Sequence, residues 1–179
     1  MEFLELVRAR QSDRAFDSSR KVEQTKIDYI LEAARVAPSA CNAQPWKIIV
    51  VDDPELAVKV GQAAAGLGMN KFAKNAPIHF VLVEESANFT STLGSKLKGK
   101  YYPLMDIGIL ASHITLAAES LGLGSCILGW FDEIQLKKLL GVPRKKRLLL
   151  DIVIGYPSKE KRGKKRKTLQ QVVSYNSYE

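Results

Sequence analysis

The sequence predicts one domain that packs α-helices on a small buried β-sheet, and three observations carry that reading. Three short runs rich in β-branched residues read as core strands: Lys47–Val51 (K-I-I-V-V), Ile78–Val83 (I-H-F-V-L-V) and Leu148–Ile154 (L-L-L-D-I-V-I). The first ends at Asp52-Asp53-Pro54, the second follows Pro77, and the third closes at Gly155-Tyr156-Pro157. Between them, apolar residues recur at helical spacing. Finally, 179 residues at 46% hydrophobic and 26% charged suffice for one domain with its own core, or one whose core a partner completes. No repeat or linker divides the chain.

Phe3, Leu4, Leu6 and Val7 fall at helical intervals, and R-A-R-Q-S-D-R (8–14) follows. Arginines and a serine gathered at a helix end can clamp a phosphate or polyol, because guanidinium forks match anionic oxygens in pairs. Ordinary surface arginines would look the same. Val22 to Lys26 has the acid-rich look of a helix start, and Ile27, Ile30, Leu31, Ala34 and Val36 continue it until Pro38, which cannot donate into a helical ladder.

Residues 37–46 (A-P-S-A-C-N-A-Q-P-W) then join that helix to the first strand, which reads as buried and central. Ser39, Asn42 and Gln44 make this connection polar without charge, which suits the edge of a neutral heterocycle better than acid–base chemistry. An ordinary capped connection is the alternative.

Residues 54–61 read as a helix and 63–68 as a small-residue bend. His79 is expected to be a packing residue, since no second His, Cys or paired acid stands at metal spacing. The least hydrophobic stretch, 84–100, reads as a mobile loop over a cleft or simply as a loop, and Lys96, Lys98 and Lys100 within it could attract a cofactor phosphate but read first as solvated. After Pro103 comes the strongest helical signal, 104–121, apolar around most of its circumference and therefore expected to be buried on most sides at a subunit interface. Asp106, Ser112, His113, Glu119 and Ser120 interrupt it, which argues against a membrane span. In G-L-G-S-C-I-L-G-W-F-D the glycines could bring backbone close to a flat ligand, or simply cap the helix before a strand. A short helix over 132–140 ends at Gly141 and Pro143.

The net charge of +8 resides in one place. Residues 144–179 hold eleven of the 27 Lys and Arg against three of the 19 acids, and 1–143 balance at sixteen of each sign. Such a run is a solvated surface or an anion patch. Cys41 and Cys126 lie far apart without a C-x-x-C pattern, so neither a disulfide framework nor a zinc site is indicated. Residues 1–14 have no apolar h-region, no signal peptide is expected, and a reducing cytoplasm is the simplest compartment.

Taken together, these motifs resemble the nitroreductase family of FMN-dependent oxidoreductases. The resemblance is carried by R-Q-S-D-R (10–14), A-P-S-A-C-N-A-Q-P-W (37–46), D-I-G-I-L-A-S-H-I from Asp106, L-G-L-G-S-C-I-L-G-W (121–130), I-G-Y-P (154–157) and K-K-R (164–166). It implies an α+β fold in three α-β-α layers, a mixed and mainly antiparallel sheet, and an entwined homodimer holding FMN between subunits. Arg10, Ser12 and Arg14, with Gln11 beside them, would hold the ribityl and phosphate with Lys164 and Arg166. Pro38, Ser39, Ala40 and Asn42 would line the flavin from the partner chain. Cys126, Ile127, Leu128 and Gly129 would run beside the isoalloxazine. Gln11 and Asp13 depart from the commonest pattern, which has Arg and an aliphatic residue there, so Asp13 is expected to point outward. Asn70 and Lys71 are the candidates for reading the pyrimidine edge.

The residue chemistry agrees. A phosphate near a dianion calls for several cations, which explains basic residues at both chain ends. A flavin carries the redox chemistry, so the protein needs no dyad, nucleophile or metal. The expected activity is ping-pong: NADH or NADPH reduces FMN, then an electron-poor small molecule (a nitroaromatic, quinone or flavin) is reduced in the same cleft. Two other readings compete. One is a flavin-binding sensor or store without turnover. The other is a basic nucleic-acid-binding domain, which would lack any recognised motif and have only Tyr156, Tyr175 and Tyr178 to stack on in the tail. The preferred reading has no nucleic-acid or membrane partner.

Overall fold

All three expected strands form and a fourth joins them in the computed structural model, which describes residues 2–86 and 100–178. The strands are β1 (Trp46–Val51), β2 (Ile78–Glu84), β3 (Gly124–Leu128) and β4 (Leu148–Gly155). They lie in the order β1-β2-β4-β3 with every neighbouring pair antiparallel. Among the described residues the one parallel element is an isolated bridge from Ser12 to Ser125 of β3. Five α-helices accompany them among the described residues: α1 (Phe3–Ala9), α2 (Gln24–Arg35), α3 (Pro54–Ala64), α4 (Tyr102–Ser120) and α5 (Glu133–Leu140).

Strand alternation sorts the core into two faces. Ile78, Phe80 and Leu82 of β2 pack with Ile152 and Ile154 of β4 against Ile27 and Ile30 of α2 and Ile107, Leu110 and Ile114 of α4. Val81 and Val83 face the other way, onto Ala57 and Val60 of α3 and Leu136 of α5. The result is the expected three layers, and it explains why I-H-F-V-L-V is a continuous apolar run: β2 is covered on both faces.

One expectation is corrected. β1 is an edge strand and not a central one, and only Val51 in it is fully buried. Within one chain the other side of α4 carries exposed Leu104, Met105 and Ile109, while Ile107, Leu110 and Ile114 are buried. The glycine segment after α4 ends the helix and leads into a strand. Gly122 takes φ 72° just past the helix, and β3 begins two residues later. The loop expected over 84–100 falls, from 87 to 99, outside the described residues, and Lys96 and Lys98 fall there with it.

Local chemistry sets the helix ends. Asp53 accepts from the Leu56 N–H at 2.8 Å with Pro54 at the first helical position of α3, and Asp132 accepts from the Gln135 N–H at 2.9 Å at the start of α5. Gly141 closes α5 in the left-handed region at φ 65°. Asp53→Ala should therefore lower stability by about 1 kcal/mol, read as a shift of the urea midpoint at constant slope. No helix among the described residues is long and apolar enough to cross a membrane.

Candidate functional site

Arg10 ends α1, and the next residues run along the free edge of β3, where the Asp13 N–H donates to the Ser125 carbonyl at 2.9 Å. The chain returns to the same edge after β4. Phe16 bridges Pro157, and the Ser158 N–H donates to the Ala15 carbonyl at 3.1 Å. Further on, the Arg162 N–H donates to Gln11 Oε1 at 3.0 Å and Lys164 Nζ to the Val7 carbonyl at 2.9 Å. Between residues 10–12 and 162–166 these contacts leave an open groove of about 250 Å³.

Arg10, Arg162, Lys164, Lys165 and Arg166 all border this groove and no acid does. Among the described residues none of these five forms an ion pair, whereas neighbouring Lys161 is neutralised by buried Glu119 at the end of α4. Burial, then the charges of Arg10 and Arg166, hold the Lys164 ammonium below the usual lysine range. Cations crowded together without a counter-charge repel one another, and a bound polyanion relieves that cost. The residues present therefore fit a phosphate.

The sequence-predicted residues divide into two groups. Arg10, Gln11, Ser12, Lys164 and Arg166 meet at the groove. Arg14 lies beyond it, close enough for its charge to act on Cys126, whose thiol burial pushes upward. In β3 only Ile127 presents its side chain outward, 39% exposed, while Cys126 and Leu128 are buried and Gly129 lies exposed past the strand end.

Asp13 does not point outward. It is 6% exposed, and Gln11 Nε2 donates to its Oδ1 at 2.7 Å. Gly124 makes this possible, since a Cβ there would sit 2.8 Å from Asp13 Oδ2.

The 37–46 loop lies elsewhere, at the beginning of α4, where the Ala40 N–H donates to Asp106 Oδ1 at 3.0 Å. Cys41, Asn42 and Gln44 have φ of 52°, 50° and 45°, positive values on either side of right-handed Ala43 that only asparagine among them adopts readily. Internal bonds hold it. Ser39 Oγ accepts from the Gln44 N–H at 2.9 Å, and Gln44 Nε2 donates to Asn42 Oδ1 at 3.1 Å. From Asp106 to Glu119, α4 advances about 20 Å at 1.5 Å per residue. Loop and groove thus stand at opposite ends of one helix, and in a single chain they cannot easily share one ligand.

Asn70 is committed to structure, with Nδ2 donating to the Trp130 carbonyl at 2.8 Å and the Ala64 carbonyl at 3.3 Å. Lys71 opens a 3₁₀ turn, Lys71–Asn75, and is exposed. Three features escaped sequence reasoning. Arg162 borders the groove. Asp106, 3% exposed, keeps Oδ2 without a hydrogen-bond partner among the described residues. His79 Nδ1 lies 2.9 Å from Asp151 Oδ2, both side chains fully buried. The only sequence signal for that last pair was a single acid inside the run L-L-L-D-I-V-I. No group of three or more metal-ligating side chains occurs among the described residues.

Comparison with known proteins bears on the family and the fold. Residues 7–156 match the model of the nitroreductase family. A protein of Archaeoglobus fulgidus, provisionally named an NADH dehydrogenase/NAD(P)H nitroreductase, is 33% identical over 166 residues, covering 89% of this chain and 88% of that one. The FMN reductase [NAD(P)H] of Bacillus subtilis is 30% identical over 166 residues, covering 86% of this chain and 65% of its own length. Among solved structures, the FMN-dependent nitroreductase of Clostridium difficile R20291 superposes with a TM-score of 0.80 at 29% identity, over 98% of this chain and 100% of that one. With the family model spanning most of its length and the fold matching throughout, the chain belongs to the nitroreductase family.

Proposed function

We propose that this protein is an FMN-dependent NAD(P)H oxidoreductase that works as a homodimer and reduces a small electron-poor acceptor such as a nitroaromatic, quinone or flavin. The observation that carries this reading is a groove bordered by five cations, none ion-paired among the described residues, in a chain whose polar 37–46 loop resembles the family's flavin-lining segment. Arg10, Ser12, Lys164 and Arg166 would hold the phosphate at the groove, and Arg14, beyond it, would face the ribityl chain. Pro38, Ser39, Ala40 and Asn42 of a second copy would line the ring, which resolves their separation within one chain. The exposed apolar side chains of Phe3 and Leu4 on α1 and of Leu104, Met105 and Ile109 on α4 supply a face for that copy.

Bound FMN would supply the two-electron redox chemistry. The chain's own part is to neutralise the phosphate, fix the ring beside Cys126–Gly129 and keep the pocket narrow. The basic tail is used at the groove in this reading, leaving no role for nucleic acid. The cytoplasm is the compartment, where a reducing poise suits the buried thiol of Cys126.

Purified protein should be yellow, and NADH or NADPH should bleach it without oxygen. Steady-state plots should be parallel, as for two substrates using one cleft in turn. Colourless protein that FMN cannot reconstitute would overturn the reading, and yellow protein that never bleaches would favour a sensor or store.

A pH dependence follows from Lys164. Its depressed pKa means that it loses its proton at a lower pH than an ordinary lysine, and only the charged form attracts phosphate. FMN affinity should therefore decline as pH rises through that lowered value, starting below the usual range of about 10.4. In Lys164→Arg, where the charge persists, the decline should disappear from a fluorescence titration.

A further inference from the structure

The segment after β4 has no helix or strand before Leu169, yet it delivers four of the five cations to the groove. Its placement depends on a buried relay. The Asp13 N–H is fixed by the Ser125 carbonyl, Asp13 Oδ1 accepts from Gln11 Nε2, and Gln11 Oε1 accepts from the backbone N–H of Arg162. Gln11 and Asp13 are 9% and 6% exposed, so the relay lies inside the fold, and Gly124 supplies the space for the carboxylate. The Arg162 guanidinium is itself clamped, with Nη2 donating to the Ser12 carbonyl at 2.9 Å. One donor of its planar fork is used there, and the rest are available to an anion in the groove that Arg162 borders.

We propose that Arg162 is a further phosphate-binding residue of this site, set in position by the buried Gln11–Asp13 pair. This assignment rests on the flavin reading above. Gln11 and Asp13 depart from the pattern that otherwise carries the resemblance, and the relay gives both one purpose. An arginine at position 11 would bring its own charge to the site. Glutamine instead supplies the acceptor that seats the tail, and the charge comes from Arg162. Asp13, which looked like a liability beside a phosphate, is turned away from the groove and spends its charge on the Gln11 amide.

The test compares FMN with riboflavin, which has the same ring and ribityl chain but no phosphate. Apo-protein is titrated with each, for the wild type, Arg162→Met, Arg162→Lys and the double variant Gln11→Leu/Asp13→Leu. The double variant removes the relay without leaving a lone buried carboxylate. Arg162 is exposed, so its replacement should leave the melting temperature unchanged. Arg162→Met should weaken FMN binding by about 10- to 100-fold, the worth of a charge-assisted hydrogen bond, with riboflavin affinity unchanged. Arg162→Lys should recover part of the loss, and the double variant should reproduce an FMN-selective loss. FMN affinity unchanged in Arg162→Met, or an equal loss for both flavins, overturns the phosphate contact. Unchanged FMN affinity in the double variant overturns the positioning role. A wild type that binds neither flavin overturns this assignment together with the flavin reading, which the other failures leave standing.

Discussion

Protein carrying Lys164→Ala and Arg166→Ala should fold normally and elute without flavin. Both residues sit on the irregular tail outside the three core clusters. Lys164 gives up one bond, to the Val7 carbonyl, and Arg166 one to the adjacent Lys165 carbonyl, so little native structure depends on either side chain. A phosphate loses two of its cations at once. Each charge-assisted bond is worth about 1.5–3 kcal/mol, so the pair should cost at least about 3 kcal/mol, or more than hundredfold in affinity. Neighbouring cations share one anion, so the two effects need not add. Flavin absorbance per protein, a titration with FMN and a melt of the apo-protein check the result together. A double variant that retains FMN as tightly as the wild type would remove the tail from the site. Raising ionic strength should weaken wild-type binding and affect the variant less, because fewer charges remain to be screened.

Periodicity made the elements legible, and their neighbours were harder to read. K-I-I-V-V and L-L-L-D-I-V-I look alike as sequence, yet β1 lies at the sheet edge and β4 is paired on both sides, because strand order is settled by pairings far along the chain. G-S-C-I-L becomes β3 through its partnership with β4, and the glycines before it allowed two readings. The site follows the same division. Residues 10–14 and 164–166 stood out as motifs and meet in space. Arg162 sat in a charge run where nothing local separates it from Lys161 or Lys165. Only the fold pairs Lys161 with Glu119 and gives Arg162 to Gln11. An acid between arginines was expected to face water, but the space for Asp13 is made by Gly124, which no local rule connects to it. In the 37–46 loop the polar residues were found but half their work was missed. Ser39 accepts from Gln44, and Gln44 holds Asn42, so the side chains that would face a cofactor also maintain three left-handed residues.

The other large effect should come from Asp151→Ala, and it concerns stability alone. His79 and Asp151 lie on adjacent central strands with no exposed surface, and by strand alternation both face the α3–α5 layer. Nδ1 of His79 is 2.9 Å and 3.2 Å from the two carboxylate oxygens, while Nε2 has no partner among the described residues. Truncating the aspartate would leave a buried imidazole with neither nitrogen satisfied, in a layer of valine, alanine and leucine. Leaving a buried polar group unsatisfied costs about 1–3 kcal/mol, to which the space vacated by the carboxylate adds, a large share of the 5–15 kcal/mol that usually holds a domain together. Chemical denaturation should show a marked fall of the midpoint. Removing both polar groups is a different experiment. His79→Leu/Asp151→Leu takes away two desolvation costs together, so the double variant should come back to the stability of the wild type or exceed it. Neither residue borders the groove, so whatever fraction of Asp151→Ala folds should bind FMN with wild-type affinity. A single variant within 1 kcal/mol of the wild type would mean that water or a rearranged side chain satisfies the imidazole, and that the pair is not what holds β2 to β4 at this level of the sheet.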